Sequence, residues 1–503
     1  MSRGIKGSRD QGIEAERQSS IPNPQSPIRM KILMLTPRFP YPPDRGDRLR
    51  SWNELDFLAR RHDVWLAGVD ERQPREEDLQ ELRRRCREVA VFVRPRPWSL
   101  LRGALSVVGG HSLTEGFFYS RRLARQVRAW SEQIGFDAVL TYSSAMAPYV
   151  DLVSATRRVL DMVDVDSCKW RLYAARSRSP ARRFYALEAK RLAVLERRGV
   201  RHHDICLVVN ERERRKLLER TCPKQAAVLR TCVDVGEYTC LNPGIRESRD
   251  QGIQGLRDPG IQGSRDLGIG GSRAIPNPQS PISNPQGAPW LLPREPIIGM
   301  VGSLFYRPNV QAVNWFGRYV WPLVRKARPD AQWWIVGNRP TRSVRRWGRL
   351  ADVTVTGYVP DLLPYFARMR VFVNPVESEL GVQSKVIVAM AAGRPVVITP
   401  GAAAGIDYEG AAPFLIAGSP RGFAEAVIRL LEDDTRALDL AKRGRRVIDE
   451  NYRVETQLPQ LEGWLRPKAA EVGRDRAPAA APAPKAAART ASSKTPVTHG
   501  AGR

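Results

Sequence analysis

Long apolar runs are missing from this sequence: nowhere in its 503 residues do eighteen or more uncharged apolar residues follow one another. A bilayer-spanning helix is therefore not expected. The N-terminus shows no charged segment leading into an apolar stretch and a cleavage site, and the expectation is a cytoplasmic protein. Cysteine is scarce. Cys86, Cys168, Cys206, Cys222, Cys232 and Cys240 form no C-x-x-C pair and have no histidine at metal-ligand spacing, so no metal site is expected. They read as mostly reduced thiols, although four of them fall between Cys206 and Cys240, close enough for a local disulfide. Zinc-finger spacing, a basic region followed by leucine heptads and an RNP-type aromatic strand are also absent, and no nucleic-acid partner is expected.

What is abundant is positive charge. Lys and Arg number 81 against 53 Asp and Glu, a formal net charge of +28. Such an excess attracts polyanions, anionic lipid headgroups or phosphorylated ligands. Most of it is arginine in helix-like stretches such as RRLARQVRAW (121 to 130), which also suits a solvated surface. With 42% of residues hydrophobic, the chain can bury the cores of two or three domains.

Two segments repeat. SRDQGI stands at 8 to 13 and at 248 to 253, and IPNPQSPI at 21 to 28 and at 275 to 282. Both copies lie in Gly-, Pro-, Ser- and Arg-rich sequence without apolar periodicity, which predicts disorder. The repeat is not in tandem and carries no hydrophobic stripe, so a solenoid is excluded. The pattern suggests one repetitive DNA element present twice, a native start at Met30, and a dispensable insertion over 244 to 287. Residues 468 to 503 read as an Ala-, Pro- and Lys-rich disordered tail.

Between these segments strands and helices alternate. KILMLTP (31 to 37), a helix-like RLRSWNELDFLARR and HDVWLAGV (62 to 69) make a βαβ opening. Further strands are predicted at FDAVLTYS (136 to 143), RRVLDMVDVD (157 to 166) and DICLVVN (204 to 210). The pattern restarts with EPIIGMVGSL (295 to 304), a helix over 309 to 327, AQWWIVG (331 to 337), RVFVNPV (370 to 376), a helix over 384 to 392 and RPVVITP (394 to 400). Two doubly wound α/β domains are implied, 30 to 236 and 294 to 467, joined by a linker over 237 to 293. A last helix, about 438 to 464, is expected to return to the first domain.

One stretch carries chemistry. GVQSKVIVAMAAGRPVVITPGAAAGI (381 to 406) sets a glycine loop before a helix of small residues. Unpaired N–H groups from Gly381 through Gln383 to Ser384, the positive helix end and Lys385 can cradle a nucleotide diphosphate. The same pattern also describes an ordinary glycine loop.

This stretch resembles the nucleotide-sugar motif of retaining family 4 glycosyltransferases, and more narrowly of sugar transferases associated with PEP-CTERM/exosortase exopolysaccharide loci. Six further blocks carry the resemblance: RFPYPPDRGDRLRSWN (38 to 53), TYSSAMAPYV (141 to 150), DMVDVDSCKWRLYA (161 to 174), FYRPNVQAVNWF (305 to 316), WWIVGNRP (333 to 340) and VTGYVPDLLPYF (355 to 366). It implies the GT-B fold, two Rossmann-like sheets facing a cleft. It implies transfer of a sugar from a nucleoside diphosphate donor, the substrate, to a glycan or lipid-linked hydroxyl, with retention and without cofactor or metal. It places the loop Asp44, Arg45, Gly46 and Asp47 under the cleft, and Gly302 and Ser303 beside the donor phosphates with Arg307 as a charge partner; Arg339 is a further cation beside the cleft, or a merely solvated one. Asp164, Asp166 and Lys169 face the cleft, where Asp164 and Asp166 orient acceptor hydroxyls, or where Asp166 or Ser167 merely caps the next helix.

The sequence departs from the family where two glutamates usually stand. Those positions hold Leu380 and Val388, and the second is the one that binds the ribose hydroxyls. Loss of that charge-assisted hydrogen bond costs about 1.5–3 kcal/mol of donor binding. An active transferase with altered ribose contacts and a decayed copy acting as a polyanion or membrane-surface binding protein both fit. In either case an anionic inner-leaflet surface is a further expected partner.

Overall fold

The computed structural model describes residues 29–43, 46–239, 292–377 and 381–467, the side chains of 47, 237 and 239 excepted. The expectations for the N-terminal extension, the insertion, the tail, Asp44, Arg45, the Asp47 side chain, Cys240 and Leu380 lie outside these residues.

Two parallel sheets account for the predicted alternation. The first contains β1 (Lys31–Thr36), β2 (Asp63–Asp70), β3 (Glu88–Val93), β4 (Phe136–Tyr142), β5 (Ala155–Val163), β6 (Ile205–Val208) and β7 (Ala226–Val228), in the order β3-β2-β1-β4-β5-β6-β7. The second contains β8 (Ile297–Val301), β9 (Gln332–Val336), β10 (Val353–Val355), β11 (Val371–Asn374), β12 (Val396–Ile398) and β13 (Leu415–Ile416), in the order β10-β9-β8-β11-β12-β13. Every neighbouring pair is parallel. Helices cover both faces of such sheets, which is why the strands read as unbroken apolar runs. Period-two alternation still sorts the side chains. In β9, Trp333 and Ile335 join Phe316, Trp321 and Phe423 on one face, while Trp334 and Val336 join Ile387, Met390 and Tyr452 on the other.

The strand order reverses between β1 and β4 and between β8 and β11, and ligands bind outside the carboxyl ends of strands at such points. Both reversals open on one cleft. Its floor is tied by Asn210 Nδ2, which donates to the Gly405 carbonyl at 3.1 Å, and by Arg230, 3.2 Å from Asp407.

Two predicted helices are interrupted. The segment expected over 309 to 327 runs as Arg307–Trp315, a π turn over Phe316–Val320 and Trp321–Ala327. Pro322 has no N–H to offer the carbonyl four residues back, and the ladder shifts so that the Trp321 N–H donates to Phe316. The last helix divides into Asp434–Asn451 and Val454–Leu465. The break is where the chain crosses back: the Val233 N–H donates to Tyr452 at 2.9 Å and the Val454 N–H to Val233 at 3.3 Å. Beyond it Leu458, Leu461 and Leu465 are buried with Ile32, Met34, Leu55 and Leu58 of the first half, so the expected return of the chain is present. Among the described residues Cys86, Cys168, Cys206, Cys222 and Cys232 are free thiols, and no helix is long and apolar enough to cross a membrane.

Candidate active site

At the carboxyl ends of both sheets lies a cavity of about 630 Å³. The first half contributes Gly46, Asp164 and Lys169, and the second contributes Gly302, Ser303, Asn309, Gly337, Asn338 and the run Gly381 to Lys385. The halves touch where a Cβ on Gly46 would stand 2.9 Å from Ser384 Oγ, and a Cβ on Gly381 2.9 Å from Asp164 Oδ2. Gly381 also has φ 64°, a left-handed conformation natural to glycine. At Gly337 the contact is with its own half: a Cβ there would fall 1.8 Å from the Gly302 carbonyl oxygen, so the loops after β8 and β9 meet only without a side chain.

Lys385, in the first turn of the helix Ser384–Ala391, is partly buried and directed at this cavity. Its Nζ donates to Asn309 Oδ1 at 2.6 Å, and no carboxylate pairs with it among the described residues. Burial alone lowers its pKa to about 8. A desolvated ammonium without a counter-ion at a helix N-terminus has a physical need for an anion. Asn309 in turn donates to the Ser303 carbonyl at 3.0 Å and so fixes the lysine against the loop after β8.

Across the cleft, β5 ends in a distortion. The register with β6 shifts between Asp161 and Val163, and Val163 has φ 64°, which is strained for a β-branched residue. The strain is held from below: the Val163 N–H donates to Asp161 Oδ1 at 3.2 Å, and buried Arg50 clasps the same carboxylate at 2.7 and 3.0 Å. Its consequence is to present Asp164 to the cavity. Burial, then the nearby Glu213 and Asp166 charges, raises the Asp164 pKa to about 7. Among the described residues, Asp164 Oδ1 and Asn338 Oδ1 are buried atoms of cavity-lining side chains with no hydrogen-bond partner. Such groups cost stability unless water or a ligand satisfies them.

Asp166 opens the helix Asp166–Arg176, and burial raises its pKa; Lys169 lies 3.9 Å away. Capping falls to other residues than those the sequence suggested. The cap position is Val165, whose N–H donates to Glu213 at 3.0 Å, while Ser167 donates through its N–H and Oγ to Glu196 at 2.8 and 2.5 Å. Asp166 is left free of that duty.

The other expected residues are placed as follows. Gln383 and Ser384 line the cavity, and Val388, one turn into the helix, lines it while packing on the apolar cluster beneath. The amides expected to stand open are partly used, since Gly302 N–H donates to Val336 at 3.0 Å and Ser384 N–H to Val382 at 3.2 Å. Arg307 lies elsewhere, on a second cavity of about 920 Å³ with Tyr173, Arg176, Tyr185 and Trp315; Tyr306 borders both cavities. Arg339 is exposed, with its guanidinium 4.6 Å from the Phe305 ring centre, and does not line the first cavity. Asn309, Asn338 and the exposed Tyr358 belong to the site although sequence reasoning nominated none of them individually. Each lies within a quoted block, which was the available signal. Among the described residues no cluster of His, Cys, Asp and Glu is arranged to hold a metal.

Residues 295–433 match the family model described as glycosyl transferases group 1. No significantly similar sequence is found among curated proteins. In three dimensions the chain is similar to sucrose-phosphate synthase from Thermosynechococcus elongatus, with TM-score 0.57 and 15% identity over 87% of this chain and 98% of that one. It is similar also to Anabaena HepE in complex with UDP and glucose, with TM-score 0.55 and 12% identity over 87% and 99% of the two chains. TarM gives TM-score 0.54 and 10% identity over 88% and 99%. The likeness spans both sheets and the cleft between them, whereas the sequence match is confined to the half that carries Lys385. The chain therefore has the two-sheet GT-B fold, and residues 295–433 within it are similar to group 1 glycosyl transferases.

Proposed function

We propose that the chain transfers a sugar from a nucleoside diphosphate-sugar to a hydroxyl of a glycan or lipid-linked acceptor, with retention, in exopolysaccharide biosynthesis. The observation that carries this reading is Lys385: a partly buried ammonium at a helix N-terminus, without a carboxylate partner among the described residues, facing a cavity at the switch points of both sheets. A diphosphate supplies the missing charge, and UDP in the HepE complex is a ligand of that class. The exopolysaccharide role rests on the seven sequence blocks.

In the proposed reaction the bond between the anomeric carbon and the donor diphosphate breaks, and the acceptor oxygen bonds to the same face of that carbon. The acceptor proton passes to the departing phosphate oxygen. Lys385 and the helix end stabilise the leaving diphosphate charge without a metal. Asp164 and Asp166 orient the acceptor hydroxyl, and Tyr358, exposed at the cavity rim, offers a face for the base. The second cavity joins an aromatic wall of Tyr173, Tyr185 and Trp315 to Arg176 and Arg307, a combination suited to sugar rings and a phosphate of the acceptor. The protein works in the cytoplasm, peripherally on the inner face of the plasma membrane.

Val388 favours a second reading, a non-catalytic binding protein, because no acid stands on the helix Ser384–Ala391 to grip ribose. Incubation of the purified chain with a panel of nucleotide-sugars and a lipid-linked glycan separates the two. Donor-dependent release of nucleoside diphosphate supports transfer, and binding without release supports the second reading.

A further inference from the structure

The helix Arg96–Val108 is built inside out. Its buried positions are Ser99 and Gly103, whereas Trp98, Leu101, Leu105 and Val108 are 65%, 49%, 62% and 87% exposed. Steps of three, four and three residues put these four on one face. The orientation is set by close packing on the small-residue side. A Cβ on Gly103 would stand 3.1 Å from Leu113, and one on Gly116 2.3 Å from Ser106 Cβ, so the helix Leu113–Phe118 seats tightly against that side. Arg191 donates to the carbonyls of Val107 and His111, and Glu188 accepts from the Leu113 and Thr114 N–H groups at 2.7 and 3.0 Å. Both come from the helix Ala181–His202, on which Phe184 and Leu187 are also exposed, at 36% and 38%.

The surroundings carry one sign of charge. Between residues 94 and 131 there are seven arginines and a single acid, Glu115, which stands 3.3 Å from His111. Between 171 and 202 there are ten Lys and Arg and two acids, Glu188 and Glu196, both buried and hydrogen-bonded; of the ten, Arg198 pairs with Asp151 at 2.9 Å and Arg191 is held by the Val107 and His111 carbonyls. A second copy of this chain would bring arginine against arginine at such a face. A bilayer rich in anionic headgroups complements it. Thirteen residues of helix, about 20 Å, fit the plane of an interface and are too short to span it.

We propose that the helix Arg96–Val108 is a docking surface for an anionic bilayer, its Trp98–Leu101–Leu105–Val108 stripe entering the headgroup–acyl boundary while the flanking arginines contact the headgroups. This deepens the peripheral membrane association proposed above and rests on it. The helix Ala181–His202 links the docked face to the second cavity: Tyr185 lines that cavity, and Arg191, six residues or about 9 Å along the axis, holds the docking helix. A lipid-linked acceptor in the docked bilayer is thereby brought near its proposed site.

The test is flotation of the full chain with phosphatidylglycerol-containing vesicles and with pure phosphatidylcholine vesicles. It compares the wild type, a Leu105→Gln/Val108→Gln variant and a Leu218→Gln control that alters an exposed leucine outside the stripe. Wild type and control are expected to float with the anionic vesicles only, and the double variant to partition about tenfold or more weakly, with unchanged thermal midpoint and nucleotide binding. Anionic-vesicle binding by the double variant equal to wild type overturns the docking helix while leaving membrane association standing. Failure of the wild type to bind overturns both. A dimer in sedimentation velocity that the double variant abolishes assigns the stripe to a second copy and overturns the lipid assignment.

Discussion

Replacing Lys385 with methionine removes the charge and keeps most of the side chain's length, and the structure predicts opposite effects on the empty and the occupied cleft. In the folded protein the lysine pKa lies at about 8, below its ordinary 10.5. The ammonium therefore opposes folding at every pH below about 8, and the penalty fades as pH rises from 8 towards 10.5. A shift of that size corresponds to about 3 kcal/mol. Against it, Asn309 Oδ1 loses its donor, at about 1–2 kcal/mol. Lys385→Met is thus expected to stabilise the ligand-free protein at pH 7 by about 1–2 kcal/mol, a gain that disappears above pH 10. With nucleotide the sign reverses. Loss of a charge-assisted bond to phosphate costs about 1.5–3 kcal/mol, or roughly 10- to 150-fold in affinity. Wild-type affinity should also fall as pH rises through 8 and 9, while the variant's stays flat. Denaturation with and without UDP or GDP at pH 7, 9.5 and 10.5 reads all of these. A variant that is less stable without ligand, or that binds nucleotide as tightly as wild type, refutes the assignment of Lys385 as an ammonium awaiting an anion.

Asp164→Asn should lower kcat/KM about 10- to 150-fold through lost orientation of the acceptor, leave nucleotide binding intact in calorimetry, and stabilise the protein above pH 7. The last effect follows because a carboxyl whose pKa is raised from 3.8 to about 7 opposes folding in full above pH 7, a penalty that fades as pH falls from 7 towards 3.8. Val388→Glu restores an acid one turn from Lys385 and should tighten donor binding by about 1.5–3 kcal/mol; a donor panel by thermal shift in which it binds no better than wild type counts against the ribose account. Arg50→Met strips the counter-ion from buried Asp161 and Glu54 and should cost about 3–5 kcal/mol in denaturation. Leu461→Ala should cost about 2–5 kcal/mol, with the loss of hydrogen-exchange protection appearing in β1 and β2, because the residue packs in the first half's core.

The two sheets were legible in the sequence because parallel strands buried on both faces leave long apolar runs, as KILMLT and IIGMV do. The glycine loop and lysine-bearing helix start that line the cavity were legible because they are contiguous at 381 to 385. What escaped depends on contacts distant in the chain. Nothing local in Asn451–Tyr452–Arg453 breaks a helix; the break is imposed by pairing with Val233. The aim of Asp164 depends on a left-handed valine, a conformation no propensity predicts. Asn309 and Asn338 look like ordinary polar residues until Lys385 and the cavity are seen beside them. The segment RPWSLLRGALSVV reads as any amphipathic helix, and only the packing of Gly103 and Gly116 shows that its large apolar side chains face outwards.

The central claim is that this cleft uses a nucleoside diphosphate-sugar through Lys385. Release of nucleoside diphosphate from a panel of nucleotide-sugars, measured for the wild type and Lys385→Met in the presence of a lipid-linked glycan, tests it most directly. The account predicts release from at least one donor by the wild type, reduced at least tenfold in the variant. Equal release by both proteins, or no binding of any nucleotide by the wild type, would contradict it.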